Sequence, residues 1–161
     1  MRFGIGYDIH RLMASKEPSH IPIGGVQIPC SLKIESHSDG DVLLHAVVDA
    51  ILGSLALGDI GRWFPDNEPE NRARPSHEFL EVVLKKAHEM GWVVKQLDSI
   101  VHLETPRLAT HIDSIRENLA KLLNIELDRT SVKAKSGEGL GPVGTRNALA
   151  AQAYVVLVER S

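Results

Sequence analysis

An intrachain disulfide is closed to this chain, because Cys30 is its one cysteine, and a reducing, cytoplasmic setting is the one expected. Aromatic residues are scarce, at 4%, so any core must be built mainly from aliphatic side chains. Neither sign of charge is in excess: 18 Lys and Arg stand against 21 Asp and Glu, for a net charge of −3. That balance lacks the basic footprint of a nucleic-acid binder or of a protein drawn to anionic lipid, so neither partner is expected. Long hydrophobic runs are missing too. The longest, AVVDAILGSLALG, is interrupted by Asp49 and falls short of the roughly 20 residues that cross a bilayer. The N-terminal MRFGIGYDIH lacks the basic-then-apolar order of a secretory signal. A soluble protein acting on small molecules or on other proteins is expected.

What is present suffices for one domain over residues 1–161, since a chain of this length that is 43% hydrophobic can bury a sizeable core. No shift in composition divides it and no long period repeats within it. Residues 2–10 read as a strand, and Ile21-Pro-Ile-Gly-Gly-Val-Gln-Ile28 reads as two short strands around a Gly-Gly turn. From Ser38, a cap with an acid three residues on, the pattern becomes an apolar helix that ends near Gly58. Residues 58–75 read as a long irregular loop, of the kind that is usually functional or mobile. A helix is expected over 76–90, a strand over 97–104, and an amphipathic helix over 108–123 with Asn124 as its cap. A strand over 130–135, a Gly-rich loop and a final strand over 148–158 complete the chain. The order ββ-α-α-β-α-β-β predicts an α+β fold, a mixed β-sheet with helices packed on one face.

Four groups of residues carry possible chemistry. Asp8 and His10 are two apart on a strand, which puts both side chains on one face. Such pairs are common at strand ends and need further ligands to mean anything. His45 supplies one: it lies one helical turn from Asp41 and one from Asp49 on an otherwise apolar helix. The plain alternative is a core histidine hydrogen-bonded to an acid. Together, Asp8, His10 and His45 make a His₂-carboxylate set like that of catalytic zinc sites, with Asp41 or Asp49 available to orient the imidazole. The 58–68 loop offers Asp59, Gly61, Phe64, Pro65, Asp66 and Glu68, either as hydroxyl-binding groups or as a solvated acidic loop. In Lys133-Ala-Lys-Ser-Gly-Glu-Gly-Leu-Gly141, backbone N–H groups and two lysines suit phosphate, and Glu138 suits a hard cation. The alternative there is a flexible, soluble hairpin. These residues alone support a metal-assisted site on a phosphorylated small molecule. They leave open a zinc phosphohydrolase or a module holding a structural metal.

The strings Arg2-x-Gly-x-Gly-x-Asp-x-His10, His37-Ser-Asp-Gly-Asp41 with His45-Ala46, Leu57-Gly-Asp-Ile-Gly61, Phe64-Pro-Asp66, Thr105-Pro106 and Lys133-Ala134 with Glu138, in this order, go further. Through them the chain resembles the 2-C-methyl-D-erythritol 2,4-cyclodiphosphate synthase family over nearly its whole length. The resemblance implies a homotrimer whose sheets face a central axis, with active sites between subunits. It implies zinc on Asp8, His10 and His45, and a second divalent ion, magnesium or manganese, at Glu138. The substrate, a cytidine diphosphate ester, would meet Asp8, His10, His37, Ser38, Asp59, Ile60 and Gly61. The covering loop would be Phe64, Pro65, Asp66, Asn67 and Glu68. A cytidine and phosphate pocket would comprise Leu103, Thr105, Pro106, Arg107, Leu108, Ala109, Lys135, Ser136 and Glu138, and His37 and Ser136 would assist the chemistry. The family's reaction is an intramolecular phosphoryl transfer that expels CMP. Three features differ from the commoner family pattern: Lys135-Ser136-Gly137 replaces a hydroxyl-rich run, Pro142 replaces an aromatic, and Glu68 replaces Asp.

Overall fold

The computed structural model describes residues 1–36, 38–65, 67–71 and 73–160. Strand β1 (Arg2–Ile23) alternates: Gly4, Gly6, Asp8, His10 and Leu12 share one face, while Phe3, Ile5, Tyr7 and Ile9 share the other. It turns into β2 (Val26–Glu35) through Gly24 and Gly25, both at positive φ (59° and 79°), as the expected two-residue hairpin requires. The hairpin is longer than its sequence pattern suggested. Residues 11–20 carry no clean apolar alternation, yet pairing with β2 holds them extended, with a register shift between Ala14 and Ser19.

Strands β3 (Trp92–His102), β4 (Thr130–Lys135) and β5 (Ala148–Glu159) complete a five-stranded sheet of order β2-β1-β5-β3-β4. Only β3 and β4 run parallel, so the sheet is mixed, as expected. Strand β3 begins five residues before the expected 97, because Trp92, Val93 and Val94 pair with the end of β5 across an irregularity before Gln96.

Helix α1 (Val42–Ser54) is apolar nearly all round and lies against β1 and β5. Its cap is Asp41, not Ser38. The Asp41 carboxylate accepts the N–H groups of Leu43 (3.1 Å) and Leu44 (3.0 Å), and also those of Gly24 (2.9 Å) and Gly25 (2.6 Å) from the hairpin turn. One buried side chain thus fastens helix start to sheet. Burial pushes its carboxyl up from the ordinary value, against the pull of those N–H donors.

The expected irregular loop holds a short helix, α2 (Ile60–Trp63), capped by the Asp59 side chain on Arg62 N–H (2.9 Å). Helix α3 (Ser76–Glu89) packs on α1 and β3, and α4 (Ile112–Leu123) on β4 and β2. Helix α4 starts four residues later than its apolar spacing suggested, because Leu108 is buried in the turn before it; it closes on Asn124 in the left-handed region (φ 52°), as expected. A one-turn helix, α5 (Gly141–Gly144), lies within the Gly-rich segment. The core between helices and sheet is largely aliphatic, from Ile21, Leu43 and Ile51 to Leu119 and Leu157. Among the described residues no helix is long and apolar enough to cross a membrane.

Among the described residues nothing covers the other face of β1. Phe3 is 68% exposed, Ile5 60% and Tyr7 50%. The small residues of β5 are buried within the chain, with Ala151 and Ala153 paired beside Asp8 and Gly6.

Candidate metal centre

Gly4 and Gly6 let α1 sit directly on β1. A Cβ on Gly6 would lie 1.9 Å from the Ala46 carbonyl oxygen, and one on Gly4 would lie 1.8 Å from that of Ala50. This close approach brings His45, on α1, to the two side chains that follow Gly6 on the same face of β1. Three donor atoms then converge. Asp8 Oδ2 is 2.9 Å from His45 Nδ1 and 3.0 Å from His10 Nε2, and the two nitrogens are 3.1 Å apart.

Two imidazole nitrogens and a carboxylate oxygen suit zinc, whose bonds of about 2.0–2.1 Å at tetrahedral angles put donors about 3.3 Å apart. Opening this triangle by a few tenths of an ångström accommodates the ion. The alternative is two nitrogens facing each other, with a proton shared toward Asp8. Burial raises the Asp8 carboxyl, but hydrogen bonds from His10 and His45 and their positive charge outweigh it and hold the group ionised, well below its ordinary value. A metal ion bound here would take the place of the protons that His10 and His45 share with Asp8.

The triad lines a cavity of about 250 Å³, together with the expected site residues Ser38, Ile60, Gly61 and Phe64. His10 also faces a second cavity, of about 1250 Å³, where Thr105 and Pro106 lie. Other expected site residues stand elsewhere. Leu103 and Leu108 put their side chains into the core (6% and 3% exposed), which leaves only their backbone for a ligand. Asp59 caps α2, while Asn67, Glu68, Arg107, Ala109 and Lys135 are exposed. Pro65 is half-buried and its carbonyl accepts from Asn71 Nδ2 (3.0 Å). Ser136 Oγ donates to Glu138 Oε1 (3.0 Å), on an exposed turn where Glu138 takes φ 51°. His37 and Asp66 lie outside the described residues.

Neither acid expected to orient His45 does so. Asp41 is occupied by its four N–H donors, and Asp49 accepts the N–H of Ile60 at 2.7 Å. Burial raises the Asp49 carboxyl, with Ile60 N–H opposing and the charges of Asp59 and Asp8 adding. His45 Nε2 meets Ser76 Oγ at 2.8 Å and Ser38 Oγ at 3.1 Å instead. In sequence Ser76 gave only a helix-start signal. Glu104 was missed altogether: its Oε2 accepts Gly137 N–H (2.9 Å), and Leu103 N–H meets Lys135 carbonyl (2.9 Å). These two bonds tie the turn after β3 to the turn that carries Ser136 and Glu138.

Comparison with known proteins gives the following. The family described as the YgbB family matches residues 1–158. The chain is 44% identical over 158 residues to a 2-C-methyl-D-erythritol 2,4-cyclodiphosphate synthase of Trichlorobacter lovleyi, covering 98% of this chain and 99% of the relative. It is 41% identical over 159 residues to a protein of the same name from Clostridium perfringens, covering 99% and 100%. Among solved structures it is similar to a Plasmodium falciparum protein in complex with CDP, with a TM-score of 0.86, 33% identity, and coverage of 99% of this chain and 97% of that one.

Proposed function

The chain belongs to the YgbB family, and from that membership we propose that it converts 4-diphosphocytidyl-2-C-methyl-D-erythritol 2-phosphate to 2-C-methyl-D-erythritol 2,4-cyclodiphosphate, releasing CMP. It is an enzyme of the non-mevalonate route to isoprenoids, a phosphorus–oxygen lyase. The observation that carries this reading is the convergence of Asp8, His10 and His45 within about 3 Å on the wall of a cavity.

In the reaction an oxygen of the 2-phosphate attacks the β-phosphorus. The bond from that phosphorus to the bridging oxygen breaks, and CMP leaves with the electron pair. The nucleophile is already an anion, so no strong general base is needed, and holding the chain of the substrate folded provides much of the rate. Asp8, His10 and His45 would hold zinc, and the exposed Glu138 carboxylate would hold magnesium or manganese. When bound, these ions supply Lewis-acid polarisation and charge neutralisation at the diphosphate. Ser136, with His37, would donate hydrogen bonds as charge builds on the phosphoryl oxygens. Ser38, Asp59, Ile60 and Gly61 would grip the methylerythritol part. Phe64, Pro65, Asp66, Asn67 and Glu68 would cover it, and excluding water favours ring closure over hydrolysis. The cytidine pocket would be built from Leu103, Thr105, Pro106, Arg107, Leu108 and Ala109, with Lys135 at the phosphates.

That pocket would belong to a neighbouring subunit of a homotrimer. The uncovered apolar face of β1, where Phe3, Ile5, Tyr7 and Ile9 stand 42% to 68% exposed, supports assembly with copies of the same chain. Residues 1–161 would act as one domain, in the cytoplasm.

The test is to incubate the protein, with zinc and magnesium supplied, with the cytidine diphosphate ester and to quantify both products. Equal amounts of CMP and cyclic diphosphate are expected. CMP without the ring would mean a hydrolase and would overturn the reading. In the same assay Glu104→Ala, which frees the 136–138 turn, is expected to raise KM about tenfold, the loss of one hydrogen bond to a charged acceptor. An unchanged KM would show that the tether does not shape the pocket.

A further inference from the structure

We infer that Asp39 and Ser76 are positioning residues that fix the proton of His45 on Nε2 and so present the Nδ1 lone pair to the metal. This rests on reading Asp8, His10 and His45 as metal ligands. It is carried by the direction in which each hydrogen bond can run. An ionised carboxylate only accepts. Asp39 accepts twice from Ser76, through Oδ1 from the hydroxyl and through Oδ2 from the backbone N–H (2.9 Å). The single hydroxyl proton of Ser76 is therefore committed to Asp39, and its oxygen can only accept from the next partner. That partner is His45 Nε2, at 2.8 Å.

The second neighbour of Nε2, Ser38 Oγ at 3.1 Å, can accept from the same N–H, as it accepts the N–H of Gly40 at 3.2 Å. An Nε2–H form is thus the one in which Ser76 and Asp39 are both satisfied. The other nitrogen of the ring, Nδ1, is the one that faces Asp8 and His10. Ser76 is fully buried and His45 is 7% exposed, so water cannot readily replace either partner. The ring is further held from the side by Phe79 of α3, with centroids 6.1 Å apart.

The same bonds also close the start of α3, whose preceding residue is Pro75 and makes no side-chain cap. A purely helix-capping role is therefore the competing explanation, and it makes a different prediction. A cap changes the stability of the metal-free chain. A group that fixes the ligand tautomer changes metal affinity, typically by 10–100-fold.

The test measures zinc dissociation constants by chelator competition, and thermal midpoints of the metal-free proteins, for wild type, Ser76→Ala, Asp39→Asn, the double variant and, as a ligand-loss reference, His10→Ala. Asp39 is exposed and Asn keeps its shape, so that variant guards against a Ser76→Ala protein that fails to fold. We expect zinc affinity to fall about 10–100-fold in Ser76→Ala and by a smaller factor in Asp39→Asn. The double variant should be no worse than Ser76→Ala, because the two act in series. Wild-type affinity in both single variants, with lower metal-free midpoints, would reduce the pair to a helix cap and leave the triad standing. A wild-type protein whose zinc binding is no stronger than that of His10→Ala would overturn the triad, and the positioning role with it.

Discussion

His10→Ala is expected to lower kcat/KM for ring closure by at least about 10³-fold, more than the loss of one hydrogen-bond donor to a transition state. The reason is geometric: His10 Nε2 stands 3.0 Å from Asp8 Oδ2 and 3.1 Å from His45 Nδ1, so removing it leaves two donors where the open zinc sites of enzymes use three. His10 is also the cleanest reporter of the three. Its side chain is 15% exposed on a strand held on both sides, by β2 and β5, whereas His45 is almost buried and truncating it would also open a cavity in the core. The thermal midpoint of metal-free His10→Ala should therefore stay within a few degrees of wild type while zinc binding collapses. Asp8→Asn, which keeps shape and removes charge, should reproduce the loss in weaker form. Activity retained in His10→Ala protein stripped of zinc by a chelator would sink the metal-assisted reading.

Gly6→Ala should be, with Gly4→Ala, among the most damaging conservative substitutions in the chain. The added methyl would sit 1.9 Å from the Ala46 carbonyl oxygen and 2.7 Å from the Ala50 nitrogen, and both are backbone atoms that no rotamer change can move aside. Helix α1 would have to lift by roughly 1 Å or more before contact becomes ordinary, given that close-packed interiors resist such shifts. A cost of about 3–4 kcal/mol, at or above the upper end for overpacked cores, is expected. In a chain of this size that lowers the midpoint by about 10 °C.

The functional consequence is separate from the loss of stability. Because His45 precedes Ala46 on the helix and Asp8 follows Gly6 by two on the strand, lifting α1 widens the distance between Nδ1 and Oδ2. The folded fraction of Gly6→Ala should accordingly bind zinc more weakly than wild type at a temperature where both are native. A midpoint within 2 °C of wild type, measured by circular dichroism on metal-free protein, would show that α1 can yield without cost, contrary to this account. Gly53, exposed on the same helix, is the matched control: a new Cβ there would meet only the Ile5 carbonyl oxygen, at an ordinary contact distance of 3.7 Å.

The sequence by itself determined whatever depends on local spacing. Period two put Asp8 beside His10, a stretch apolar nearly all round made residues 42–54 a buried helix, and adjacent glycines specified the turn at Gly24 and Gly25. It also contained every ligand of the candidate metal centre. What it did not contain was direction and distance between segments far apart in the chain. Asp41 and Asp49 flank His45 at helical spacing and were the natural local choices to orient it, yet the tertiary structure gives Asp41 to the hairpin turn and Asp49 to Ile60.

The group that meets His45 comes from 31 residues away, Ser76, held by Asp39 at 37 residues' separation from it. No periodicity reports a contact of that kind, because a capping serine looks the same in sequence whether its oxygen meets water or an imidazole. Likewise, alternation along β1 shows that two faces differ but not which one the helices cover. Folding placed the glycines, Asp8 and His10 under α1 and left Phe3, Ile5 and Tyr7 outside, because only a face without Cβ atoms admits a helix backbone at that distance.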